Sequence, residues 1–158
     1  KNMFVHSSNI DYDKIYNDVT KMPNSLQLID KVILLLLEIL KGYDSQTKKA
    51  SSLLELARKI SQWIEREYVQ ISPDMIYINK LQIEKRFGPL NYRYIAMLDY
   101  LTREEKPATI RCGAFLLLED LEQAQACFDE LSDDEQHDFL TYPICTFGKL
   151  RPRTEQSD

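Results

Sequence analysis

The sequence predicts an all-α fold: a single helical domain of about six to seven helices, closed by a repeat-like C-terminal αα-hairpin. Three observations lead there. The 158 residues hold only four glycines, too few for the many tight turns of an all-β chain. Apolar residues recur at spacings of three and four, the period of a helix face. Pro23, Gly42, Gly88-Pro89, Pro107 and Pro143 fall between these periodic stretches, where they break or end helices. Hydrophobic residues make up 44% and charged residues 28%, a composition that supports a packed core and excludes a disordered chain.

Residues 1 to 9 read as a lead-in, and residues 10 to 20 as a short helix with Ile10, Ile15 and Val19 on one side. Lys21 to Ser25 is a break, in which Asn24 or Ser25 can cap the next helix. That helix is placed at about 25 to 42, ending at Gly42. It carries the most apolar run, Val32 to Leu40, nine residues interrupted by Glu38. A membrane span needs about twenty, so the run is expected to be a core helix. It is apolar on nearly every face, which also suits burial against a second copy.

The stretch from about 46 to 69 has the clearest periodicity. Ala50, Leu53, Leu54, Ala57, Ile60 and Ile64 share one face, widened by Leu56 and Trp63. Glu55 and Lys59 sit four apart in the favourable order. Ser72-Pro73-Asp74 is a helix start, with Ser as cap, Pro in the first turn and Asp near the positive helix end. This helix is expected to stop at Gly88-Pro89, with a short strand at Met75 to Ile78 as the competing reading. Leu90 to Leu101 reads as a helix with Ile95, Leu98 and Leu101 together. After Lys106-Pro107, residues 108 to 119 and 121 to 131 read as a helical hairpin. Ser132 to Glu135 is a capping-box pattern opening a last short helix that Tyr142-Pro143 ends. Residues 1 to 150 are read as the domain and residues 151 to 158 as a flexible polar tail. The first and second helices of full length, 25 to 42 and 46 to 69, are expected to form a central pair. The hairpin is expected to pack onto the 72 to 101 region.

Composition also bounds function. Net charge is −5, which argues against a general nucleic-acid binder but leaves room for a local basic patch. Cys112, Cys127 and Cys145 are odd in number and not closely paired, which suits a reducing compartment and a cytoplasmic location. The opening residues are too polar for a secretory signal. The chain begins at Lys1 rather than Met, as a fragment or trimmed chain would.

The segment Glu119 to Phe128 resembles the turn and second helix of a tetratricopeptide repeat. Ala124 and Phe128 match that family's A-x3-F element, and Leu121 fits the apolar site before it. A small residue lets two helices approach, and a ring fills the gap one turn later. The first-helix aromatic corresponds to Phe115. The match departs elsewhere. Arg111-Cys112 stands where the family has Leu-Gly, Gly113 is one place late, and the expected proline falls at Gln136. One 34-residue period earlier lie Leu90 and Tyr94, which make no second repeat. The resemblance implies protein binding, with Phe115, Leu121, Glu122, Phe128 and Asp129 as the contact residues. A second resemblance covers the later half. Ile78 to Arg86 and Phe115 to Ile144 look like the C-terminal helical region of uncharacterised bacterial proteins associated with defence. It implies an accessory role beside a nucleic-acid-acting domain, with no catalytic motif to carry over.

Other chemistry is weakly signalled. His137 lies near Asp133, Asp134, Glu135 and Asp138, but a capping box and a solvated acidic face already explain that cluster. His6 is distant in sequence, so no metal site and no cofactor are expected. The cysteines have no basic partner nearby in sequence and read as small core residues. Lys80, Lys85, Arg86 and Arg93, with Tyr92 and Tyr94 interleaved, are the candidate nucleic-acid contacts. Residues 119 to 138 hold nine acidic residues and no Lys or Arg. The expected partners are a protein or a second copy, with nucleic acid as the alternative and no membrane.

Overall fold

The computed structural model describes residues 11–21, 26–67 and 73–155. Among them every regular element is helical, so the all-α expectation holds and the strand reading of Met75 to Ile78 does not. The helices gather into two compact units, divided between Ser72 and Pro73.

The first unit contains α1 (Tyr12–Thr20), α2 (Leu26–Ser45) and α3 (Ser51–Glu67), each packed on the other two. Asp11 caps α1, its side chain accepting from the Lys14 N–H at 3.1 Å. The proposed caps at Asn24, Ser25 and Ser72, and the side of α1 assigned to Ile10, lie outside the described residues. On α2, Val32, Leu35, Leu36, Ile39 and Leu40 are buried, spaced as one helical face. Leu34 is 54% exposed, so the run is two-sided rather than apolar all round. The α2 helix passes through Gly42 and ends three residues later, against the expected stop.

The next helix starts later than its periodicity suggests, because residues 46 to 50 serve the end of α2. Lys49 Nζ donates to the carbonyls of Tyr43, Asp44 and Gln46, at 3.4, 2.9 and 3.2 Å. A cation there satisfies orphan carbonyls at the negative helix end. Gln46 Oε1 in turn accepts from the Ala50 N–H at 3.0 Å. Ala50 therefore precedes α3 and is exposed, while Leu54, Leu56, Ala57, Ile60, Trp63 and Ile64 are buried as read.

The second unit contains α4 (Pro73–Phe87), α5 (Tyr92–Leu101), α6 (Ala108–Leu117), α7 (Leu121–Asp129) and α8 (Asp133–Phe139), followed by a 3-10 turn at Pro143–Phe147. Helix α6 is central, packing on α4, α5, α7 and the 3-10 turn, so the hairpin does pack onto the 72 to 101 region. Its Cys112, Gly113, Ala114, Leu116 and Leu117 are buried. A Cβ at Gly113 would sit 3.1 Å from Ile144, so the small residue lets the 3-10 turn approach α6. Helices α6 and α7 are joined through Glu119, whose φ of 62° is the left-handed geometry that reverses the chain. The capping box at Ser132 and Glu135 is present with both hydrogen bonds.

Candidate functional site

The long-range ion pairs of the second unit show where its cations go. Arg111, on α6, donates to both Glu130 oxygens, at 3.0 and 2.8 Å, and through Nε to the Lys106 carbonyl at 2.9 Å. This bidentate grip ties α6 to the end of α7 and holds the Glu130 carboxyl below its ordinary pKa. Lys106 reaches both Asp74 oxygens, at 3.2 and 3.0 Å, and the Tyr100 hydroxyl at 3.1 Å. Arg86 donates to the Pro143 carbonyl at 3.0 Å and lies 4.8 Å from the Phe147 ring centroid. Lys85 pairs with Glu119 at 3.2 Å and flanks the same ring at 5.7 Å.

The predicted nucleic-acid set is therefore not one surface. Lys85 and Arg86 bracket Phe147. Lys80, about five residues away on a helix that turns about 100° per residue, points elsewhere and lies 6.0 Å from the Tyr94 ring. Arg93 is exposed near the start of α5. The predicted protein-contact set also divides. Phe128 is fully buried, edge-on to Phe139 with ring centroids 6.1 Å apart, so in this fold it is a packing residue and reaches no partner. Phe115 is half-buried against the same core. Leu121, Glu122 and Asp129 are exposed.

Among the described residues, Leu34, Met75, Phe87, Leu121 and Tyr142 are exposed elsewhere in the chain, whereas α5 gathers Tyr92, Ile95 and Tyr100 on one short helix. Tyr92 is 83% exposed, and Ile95, Ala96 and Tyr100 are exposed with it. Tyr92, Ala96 and Asp99 form one stripe, with Ile95 and Tyr100 on its flanks. The Tyr100 ring is held in place: Lys106 Nζ lies 4.2 Å from its centroid and the Arg103 guanidinium 5.1 Å. Grouping Ile95 with Leu98 and Leu101 was incorrect. Leu98 and Leu101 are buried, but Ile95 is 41% exposed. Tyr94, Met97, Leu98 and Leu101 already complete an inward stripe at i, i+3, i+4 and i+7. Counting that stripe first would have marked Ile95 as surplus.

The thiols are poor nucleophiles. Burial pushes Cys112 well above the ordinary thiol range and Cys145 up to about 11, and it raises Cys127 despite the Arg111 donor 3.3 Å from its sulfur. Among the described residues no three His, Cys, Asp or Glu side chains converge to hold a metal ion. No described helix is long and apolar enough to cross a membrane. Compared with protein-family models, curated proteins and solved structures, the chain matches none.

Proposed function

We propose that the chain is a non-enzymatic protein-interaction module whose main contact surface is the outward face of α5. The observation that carries this reading is the exposed Tyr92, Ile95, Ala96 and Tyr100 face on a short helix whose opposite side is fully engaged in the core. Aromatic residues dominate the energetic centres of protein interfaces because they bury much area at little entropic cost. Tyr100, pinned by Lys106 and Arg103, is pre-organised for such a role. The likeness of the α6–α7 hairpin to a tetratricopeptide repeat supports the same class: Ala124 and Phe128 are buried in the core, where a helix-approach residue and a gap-filling ring belong.

The alternative is a helical accessory domain of a bacterial defence-type protein that contacts nucleic acid. It draws less support, since Lys85, Arg86, Lys106 and Arg111 are engaged within the second unit. Two measurements separate the readings. Light scattering across concentration on the unaltered chain and on Ile95→Asp tests self-association through α5. A dimer that Ile95→Asp dissolves supports the proposal with a second copy as partner, and a strict monomer directs the search to a different protein. Fluorescence anisotropy with a single-stranded oligonucleotide tests the alternative. Saturable binding that weakens steeply with salt and is lost in Arg93→Glu would favour nucleic acid.

A further inference from the structure

The chain's own segment 150–153 is bound as a peptide would be. Leu150 is buried in the core of the second unit. Next, the Arg151 N–H donates to Gln125 Oε1 at 2.9 Å, and Gln125 Nε2 donates back to the Arg151 carbonyl at 3.0 Å. Two residues on, the Arg153 N–H donates to Gln136 Oε1 at 2.9 Å. Backbone groups are thus held at residues 151 and 153, in irregular chain that leads into a short 3-10 turn at Arg153–Glu155. Pro152 falls at the intervening position, where no N–H is needed and φ is fixed.

The arginine that follows is clamped. Arg153 Nη1 donates to the Asp133 carboxylate, and Nη2 donates to the carbonyls of Asp129 and Leu131, at 2.8 and 2.7 Å. Those carbonyls lie at the negative end of α7, which favours a cation. Gln136 is almost wholly buried, and its amide donates to the Phe128 carbonyl at 3.0 Å. Its oxygen is therefore aimed outward from the core at the bound segment. A buried leucine, two glutamine amides that hold main chain, and an arginine clamp fix this segment at Leu150, Arg151 and Arg153.

From this geometry we infer that the junction of α7 and α8 is a docking site for a short segment of a partner protein, with an apolar residue, a proline two residues on and an arginine next. The chain's own Leu150 to Arg153 occupies it in cis and restrains it. The inference rests on the reading of the chain as a protein-binding module but uses a surface apart from α5. A second copy is a poor competitor. An identical segment gains nothing over the tethered one, whose effective concentration is about millimolar. A partner must therefore present a better version of the same chemistry.

The test uses the full chain and a fluorescent peptide of residues 148 to 155. In the unaltered chain the tethered segment blocks the peptide. In Arg153→Ala the clamp is removed from the tether, so the peptide should bind about ten- to a hundredfold tighter than to the unaltered chain. The same peptide carrying Arg153→Ala should lose that gain. Equal binding to both chains, or by both peptides, overturns the proposal. A second measurement needs no substitution. The Arg151 and Arg153 amides should exchange with deuterium at least about a hundredfold faster than the slowest α6 amides, through local release of the segment. If they exchange only as slowly as α6, the segment is a core element and cannot be displaced. Neither experiment touches α5, so a failure here leaves the α5 reading standing.

Discussion

Replacing Phe128 by alanine tests whether this ring is core or contact surface. The ring is fully buried beside Ala124 and edge-on to Phe139, which itself meets Tyr142 at 5.6 Å. A phenylalanine buries about 150–250 Å², and at about 25 cal/mol per Å² that burial is worth about 4–6 kcal/mol. Alanine keeps part of it, so Phe128→Ala should cost about 3–4 kcal/mol, within the usual range for emptying such a site. All three cysteines lie in the second unit, so thiol labelling reports its opening specifically. When opening and closing are fast relative to labelling, the Cys112 labelling rate scales with the open population. Labelling should therefore accelerate roughly a hundred- to a thousandfold in Phe128→Ala. Glu122→Ala, at an exposed position of the same helix, should change it little. An effect of Phe128→Ala below about 1 kcal/mol would contradict the packing assignment.

Other outcomes follow from the same contacts. Gly148→Ala should destabilise the second unit by about 1–3 kcal/mol in urea unfolding, because the added Cβ would collide with Leu121 and sit 2.8 Å from the buried Leu116. Acid should weaken the fold through Glu130 and Glu135, whose carboxyls are held below their ordinary pKa by the Arg111 side chain and by the Ser132 backbone N–H. A depressed carboxyl stabilises above its unfolded pKa and loses that contribution as pH falls through the folded value. Glu130→Gln and Glu135→Gln should each flatten the acid side of a urea-midpoint profile. At high pH the sign reverses. Cys145, raised from 9.0 to about 11, favours the folded state fully below pH 9, and that contribution is lost as pH rises through 11. Cys145→Ala should flatten the alkaline side of the same profile.

The parts of the fold written in local chemistry were legible. The α8 capping box needs only Ser132 and Glu135 three residues apart, and the α3 stripe needs only its own spacing. What failed depended on distant partners. The start of α3 was misplaced because Lys49 is spent on the carbonyls that end α2, while Gln46 holds the Ala50 N–H ahead of α3. Arg86 and Lys85 looked like a basic patch because nothing local shows that Pro143, Phe147 and Glu119 will meet them. Phe128 was recognised as a gap-filling ring but also assigned to a contact surface, two roles that a fully buried side chain cannot combine. The segment from Arg151 was read as a loose polar tail, whereas its backbone and the Arg153 side chain are held by Gln125, Gln136 and Asp133. Glutamine amides that hold distant backbone leave no signature in spacing, so that contact was out of reach of the sequence alone.

The central claim, that the α5 face meets a protein, is tested most directly by placing a photo-crosslinking aromatic residue at Tyr92 in the full chain inside its native cell. The position is 83% exposed, so the fold should tolerate the change. The account predicts a protein adduct of one reproducible mass, identical to this chain or not, that disappears when Ile95→Asp is added. An adduct that nuclease treatment removes, or no adduct while a crosslinker at exposed Asp134 captures one, would contradict it.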